Sequence, residues 1–183
     1  MRLHISPYAW PIIFFAAASI LGAVLLRLPV SLAGTPLSWT DALFTAVSAV
    51  CVTGLIVVDT GAFFSPFGQA VILGLIQVGG LGIMTITSLI FYLWHHRVSL
   101  ADHLAVGQSL LLDPRFQLGR FLIRVVVLVL SIEALGALAL RLAAPDGFSW
   151  ASAVFHAVSA FCNAGFALQS NSLVPWQDNW GVN

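Results

Sequence analysis

The sequence predicts an all-α membrane protein built from repeated M1–P-loop–M2 units, each a spanning helix, a re-entrant pore loop and a second spanning helix. About one and a half units are present. Three observations carry this. First, 60% of the 183 residues are hydrophobic and 8% are charged, with a mean hydropathy of +0.99; soluble domains carry about 25% charged residues. Second, three apolar runs approach or exceed the roughly 20 residues that cross a bilayer. Third, a short apolar helix ending in glycine occurs twice. Trp39 and Trp150, Phe44 and Phe155, Cys51 and Cys162, and Gly54 and Gly165 are each 111 residues apart. Formal net charge is zero, which leaves no electrostatic case for nucleic acid.

The first apolar run covers residues 8–28. A secretory signal is its competitor, but signal cores are usually about 7–15 residues. Leu28-Pro29 ends the run, and Gly34-Thr-Pro36 supplies turn chemistry. Ser38 with Asp41 three residues later then reads as an N-terminal cap. The helix it starts, 39–50, is about half the length that spans a bilayer, and Gly54 breaks it. Asp59-Thr-Gly61 and Ser65-Pro66 turn the chain back into the second long run, 67–94. Gly74, Gly79, Gly80 and Gly82 inside that run read first as small packing residues and second as a hinge.

Residues 95–116 form the most polar internal stretch. His95, His96 and His103 lack acidic partners at ligand spacing and read as interfacial anchors, so no transition metal is expected. The third run, 121–142, is flanked by Arg120 and Arg141; Arg124 near its start can snorkel. Pro145-Asp-Gly147 turns the chain, and Ser149 caps the second short helix, 150–161. The units are therefore 1–94 (first M1–P–M2), 95–116 (cytoplasmic connection) and 117–183 (second M1 and P-loop). By the same offset a second M2 would begin near 178, so the second unit is expected to lack its last helix.

Irregular backbone at membrane depth is tolerated where it is buried or lines a water-filled cavity. Carbonyls there can replace the hydration shell of an ion. Val52, Thr53 and Gly54, and in the second copy Asn163, Ala164 and Gly165, are the candidate carbonyl donors. Cys51, Leu55, Cys162 and Phe166 flank them. Glycine is expected to take the positive φ that aims a carbonyl at an axis. The C-terminal ends of the short helices add partial negative charge that favours a cation. Cys51 and Cys162 read as small buried residues in packed loops.

Arg97, Arg115, Arg120 and Arg124 collect around the central connection, with Arg2 at the N-terminus. Basic residues mark the cytoplasmic side. This predicts a multi-pass protein of the cell (inner) membrane with a cytoplasmic N-terminus and P-loops entering from outside.

These residues resemble the Trk/Ktr/HKT superfamily of cation transporters. The resemblance rests on Asp-Ala-Leu-Phe-Thr-Ala-Val-Ser-Ala-Val-Cys-Val-Thr-Gly-Leu (41–55), Val-Val-Asp-Thr-Gly (57–61), Phe-Gly-Gln (67–69), Ile-Gln-Val-Gly-Gly-Leu-Gly (76–82) and Phe-His-Ala-Val-Ser-Ala-Phe-Cys-Asn-Ala-Gly-Phe (155–166). Within the superfamily it is nearest the N-terminal part of the KtrB type of potassium-uptake membrane subunit. The resemblance implies four units around one pore, a homodimer, and a cytosolic RCK-type nucleotide-binding partner of the KtrA kind. It implies that Gly54 and Gly165 are filter glycines with Val52, Thr53, Asn163 and Ala164 as carbonyl donors. The chain departs from that pattern: only two of the four filter strands are present, the second unit lacks its M2, the third-unit gating loop is absent, and Ala167 stands where an acid or polar residue is expected. The resemblance therefore implies a fragment, or the visible part of a longer protein, that forms no closed pore by itself.

The expected function is potassium transport, with potassium as substrate at the filter residues, no cofactor in this chain and no enzymatic activity. The alternatives are a sodium or mixed potassium/sodium transporter of the same superfamily, or a secondary solute transporter with broken helices. Glu133, midway along the third run, is a functional candidate as an intramembrane acid, or a structural partner of an arginine or hydroxyl. His156 reads as a pH-sensitive group or a hydrogen-bonded packing residue. Asp59 reads as a cation attractor or a turn cap.

Overall fold

A computed structural model of the chain describes residues 9–82, 85, 118–179 and 181–182. Among these the regular structure is helical, and the only bridge between extended residues joins Leu32 and Phe64. The helices are α1 (Ala9–Leu26), α2 (Trp39–Val50), α3 (Thr60–Phe63), α4 (Pro66–Gly80), α5 (Leu118–Ala143) and α6 (Trp150–Phe161). Residues 95–116, with His95, His96, His103, Arg97 and Arg115, lie outside the described residues, as do Arg2 and His4.

Each helix end has a local chemical reason. Pro29 stops α1, and the Leu25 carbonyl in its last turn accepts both from the Leu28 N–H at 3.2 Å and from the Ser31 hydroxyl. Ser38 caps α2 by accepting from the Asp41 N–H at 3.1 Å, and its own hydroxyl donates to the Asp41 carboxylate at 2.7 Å. Ser149 caps α6 in the same way through the Ser152 N–H at 3.2 Å. Ser65 caps α4, with Pro66 in the first turn where its missing N–H costs nothing. Both short helices have the bounds that the sequence predicts.

The apolar run 67–94 differs from its expectation. α4 ends at Gly80, and Gly82 adopts φ +77. That is a left-handed glycine termination, in which the Gly82 N–H bonds the Gly79 carbonyl at 3.0 Å. Hydropathy runs on past this point, so composition hides the break. Of the four glycines, Gly79 and Gly80 are packing residues, Gly82 is a terminator, and Gly74 has no neighbour within 4 Å among the described residues.

α1 packs on α2 and α4, α2 on α4, and α5 on α6. Small residues let α1 and α2 approach. A Cβ at Gly22 would come within 2.7 Å of Leu75 Cδ1 and 3.2 Å of Ala46 Cβ. Ala42, Ala46, Ala49 and Val50 of α2 share one core with Ile72 and Ile76 of α4. Phe155, Val158, Ala164 and Phe166 of the second copy close that same core. Among the described residues one helix, over Gly119–Ala143, is long and apolar enough to cross a membrane. Its Leu128, Leu135 and Leu142 are exposed, a face that suits hydrocarbon rather than water.

Candidate functional site

The two short helices end in the same turn. At the end of α2 the Cys51 N–H bonds the Val47 carbonyl at 2.8 Å, and the Thr53 N–H reaches back to Ser48 O at 3.0 Å. At the end of α6 the Cys162 N–H bonds Val158 O at 2.9 Å, and the Ala164 N–H reaches Ser159 O at 2.7 Å. The backbone then alternates. Val52 has φ +58 and Gly54 φ +72; Asn163 has φ +56 and Gly165 φ +73. Both glycines thus have the expected positive φ. The left-handed Val52 is unforeseen, because a β-branched residue there is an outlier that only its surroundings can hold.

A serine on each helix locks the exit from its turn. Ser48 Oγ donates to Leu55 O at 2.7 Å and lies 2.9 Å from Thr53 Oγ1. Ser159 Oγ donates to Phe166 O at 2.6 Å. Sequence reasoning missed both clamps, although the serine shared by the two Ala-Val-Ser-Ala copies was the available signal. Ser159→Ala removes the donor from a buried carbonyl and should cost about 1–3 kcal/mol. Thermal unfolding of the full-length protein in detergent should show that loss, with Ser159→Thr retaining most of the stability.

The structure brings the two glycine segments into contact. A Cβ on Gly54 would lie 2.7 Å from Ala164 O and 3.1 Å from Gly165 Cα. A Cβ on Gly165 would lie 3.3 Å from Gly54 Cα. α4 supports both turns from behind: a Cβ on Gly79 would overlap the Val50 carbonyl, and one on Gly80 would overlap Cys162 Sγ. Beyond the glycines, residues 56–60 together with Gly165, Ala167, Gln169, Ser170 and Ser172 line an open cavity of about 360 Å³.

Against that geometry the comparisons with known proteins are specific. Residues 11–183 match the TrkH family, described as cation transport protein. The chain belongs to the TrkH family. It is 46% identical over 174 residues to Ktr system potassium uptake protein B of Bacillus subtilis, covering 92% of this chain and 39% of that protein. It is 36% identical over 184 residues to potassium/sodium uptake protein NtpJ of Enterococcus hirae, covering 98% of this chain and 41% of that protein. It is 43% identical over 157 residues to Ktr system potassium uptake protein B of Vibrio alginolyticus, covering 83% of this chain and 34% of that protein. The chain thus spans about a third to two-fifths of the length of these curated relatives.

Several side chains of this TrkH-family chain differ from, or decide between, their sequence readings. Cys51 is exposed and Cys162 only half-buried, which corrects the expectation of two buried cysteines: the first turn leaves its thiol outside the packing that covers the second. Glu133 is buried, and among the described residues its partners are an amide and a thiol rather than an arginine or a hydroxyl. Its Oε2 accepts from Gln77 Nε2 at 3.0 Å, and its Oε1 lies 4.0 Å from Cys162 Sγ.

His156 is a hydrogen-bonded packing residue. Its Nδ1 donates to Ser152 O at 2.7 Å, and its Nε2 accepts from the Leu168 N–H at 3.2 Å. The ring also packs edge-on against Phe148. Asp59 caps α3 by accepting from the Gly61 and Ala62 N–H groups at 3.0 and 3.1 Å. The Ser170 side chain, then the Ala62 and Gly61 N–H groups, hold its carboxyl below the ordinary carboxylate range, against a smaller opposing effect of burial. The stability from this cap is therefore complete at neutral pH and is lost as pH falls through the lowered folded-state value.

Proposed function

We propose that this chain supplies two strands of the selectivity filter of a channel-like potassium-uptake subunit. One observation carries the reading: two turns with the same hydrogen bonds, at a constant offset, place their positive-φ glycines against each other. Residues 1–94 are the first M1–P–M2 unit, 95–116 the cytoplasmic connection, and 117–183 the M1 and P-loop of the second. Carbonyls of Val52, Thr53, Gly54, Asn163, Ala164 and Gly165 coordinate potassium as substrate, flanked by Cys51, Leu55, Cys162 and Phe166. Left-handed and right-handed residues in alternation turn successive carbonyls to one side, which is what a column of ion sites requires. The helix C-termini behind them add partial negative charge.

The full pore contains four such strands, in a multi-pass protein of the cell membrane with a cytoplasmic N-terminus and P-loops entering from outside. It acts without enzymatic chemistry, as a homodimer, with an RCK-type KtrA-like regulatory partner. One glycine per strand, against two in the potassium-channel filter, is the ground for sodium as an alternative or co-ion, but the names of the relatives taken together favour potassium.

The deciding experiment is tracer flux into liposomes holding the full-length protein. Uptake of potassium or rubidium should follow the ion gradient and membrane potential. Saturable solute-coupled uptake with no ion conductance would instead identify a secondary transporter.

A further inference from the structure

The second glycine strand leaves α6 at Cys162, and three elements meet behind that residue. α5 brings Glu133, 5% exposed although its neighbours Ile132 and Leu135 are 44% and 65% exposed. α4 brings Gln77, whose Nε2 donates to Glu133 Oε2 at 3.0 Å, while its Oε1 is buried with no partner among the described residues. α6 brings the Cys162 thiol, 4.0 Å from Glu133 Oε1. Three residues after Gln77, Gly80 faces the same thiol, and a Cβ there would come within 2.6 Å of Cys162 Cβ. An acid at this depth in an apolar helix is costly and has to face protein partners. At the first turn, Cys51 is exposed, and no such acid–amide pair stands behind it among the described residues.

We propose that Glu133 is a positioning residue for the second filter strand. Through Gln77 and the Cys162 thiol it fixes the turn from which Asn163, Ala164 and Gly165 depart. The inference rests on the reading of those residues as a filter strand. The carboxylate holds α5 to α4 at the level of Cys162, and the glycine at position 80 lets the turn rest on α4. Without the carboxylate the Gln77 amide loses its acceptor as well as lacking a donor, so it has reason to rotate away. The strand is then free to shift, and ion discrimination suffers more than throughput does.

The test uses full-length Glu133→Leu, Glu133→Gln and Cys162→Ala proteins, with amount in the membrane, apparent KM and maximal rate for potassium, and potassium-over-sodium discrimination measured for each. Glu133→Leu should lose discrimination several-fold and raise KM, with the maximal rate largely kept. Glu133→Gln retains an acceptor for the Gln77 amide and should recover most of the loss. Cys162→Ala should shift discrimination in the same direction by a smaller factor. If Glu133→Leu does not accumulate, the other two decide the matter. Wild-type discrimination in Cys162→Ala overturns the proposal, as does a Glu133→Gln defect that matches Glu133→Leu. Gly165→Ala separates the two levels. If it alone changes discrimination, the bracket fails and the filter stands; if none of the variants changes it, the filter reading itself fails.

Discussion

Replacing Gly54 by alanine in the full-length protein should reduce potassium-over-sodium discrimination by roughly tenfold or more, the factor that about 1.4 kcal/mol represents. Two independent costs meet at this position. The residue has φ +72, and an L-residue in the left-handed region costs about 1–2 kcal/mol. The new methyl group would also lie 2.7 Å from Ala164 O, a backbone atom with no rotamer to escape through. One strand must therefore move against the other. Gly165 has nearly the same φ, +73, but among the described residues its Cβ would meet only Gly54 Cα, at 3.3 Å. Gly165→Ala should therefore be the milder change. Growth on limiting potassium and competitive tracer uptake would rank the two variants. Equal effects, or the reverse order, would show that contact between the strands does not govern the site.

Gly79→Ala should have the second large effect, on stability rather than on selectivity. Alanine is ordinarily the better helix former by about 1 kcal/mol, but a methyl group here overlaps the Val50 carbonyl and lies 2.9 Å from Val52 Cγ2. Overpacking of this kind costs about 1–3 kcal/mol, and it falls on the carbonyl just before the first turn. Gly74 is the internal control, since it lies in the same helix with nothing within 4 Å among the described residues. Thermal unfolding in detergent should place Gly79→Ala below wild type and Gly74→Ala at or above it. Equal midpoints for the two variants would remove the close-packing argument.

Much of this was legible in the residues because local chemistry and tertiary contacts agree there. The bounds of α2 and α6 follow from Ser38 and Ser149 and from the glycines beyond them. The 111-residue offset relates two turns that share their hydrogen bonds. Three features were not legible, each for a physical reason. Val52 in the left-handed region contradicts its own propensity, although its alignment with Asn163, a residue that tolerates that conformation, pointed to it. The end of α4 at Gly80, followed by the left-handed Gly82, is masked by unbroken hydropathy. The Glu133–Gln77 bond joins residues 56 positions apart, and no spacing rule reaches that far.

The serine clamps have a consequence for transport in the proposed filter. Leu55 O and Phe166 O are each held by a hydroxyl at 2.7 and 2.6 Å, so at least one lone pair of each is turned back into the protein. The groups left to face an ion in these two strands are those of residues 52–54 and 163–165. The single-file path would then be short, and an entering ion would shed its water in one stage. Few ions would queue at a time, so opposing tracer fluxes should be nearly independent, with a flux-ratio exponent close to unity rather than the larger value of a long multi-ion filter.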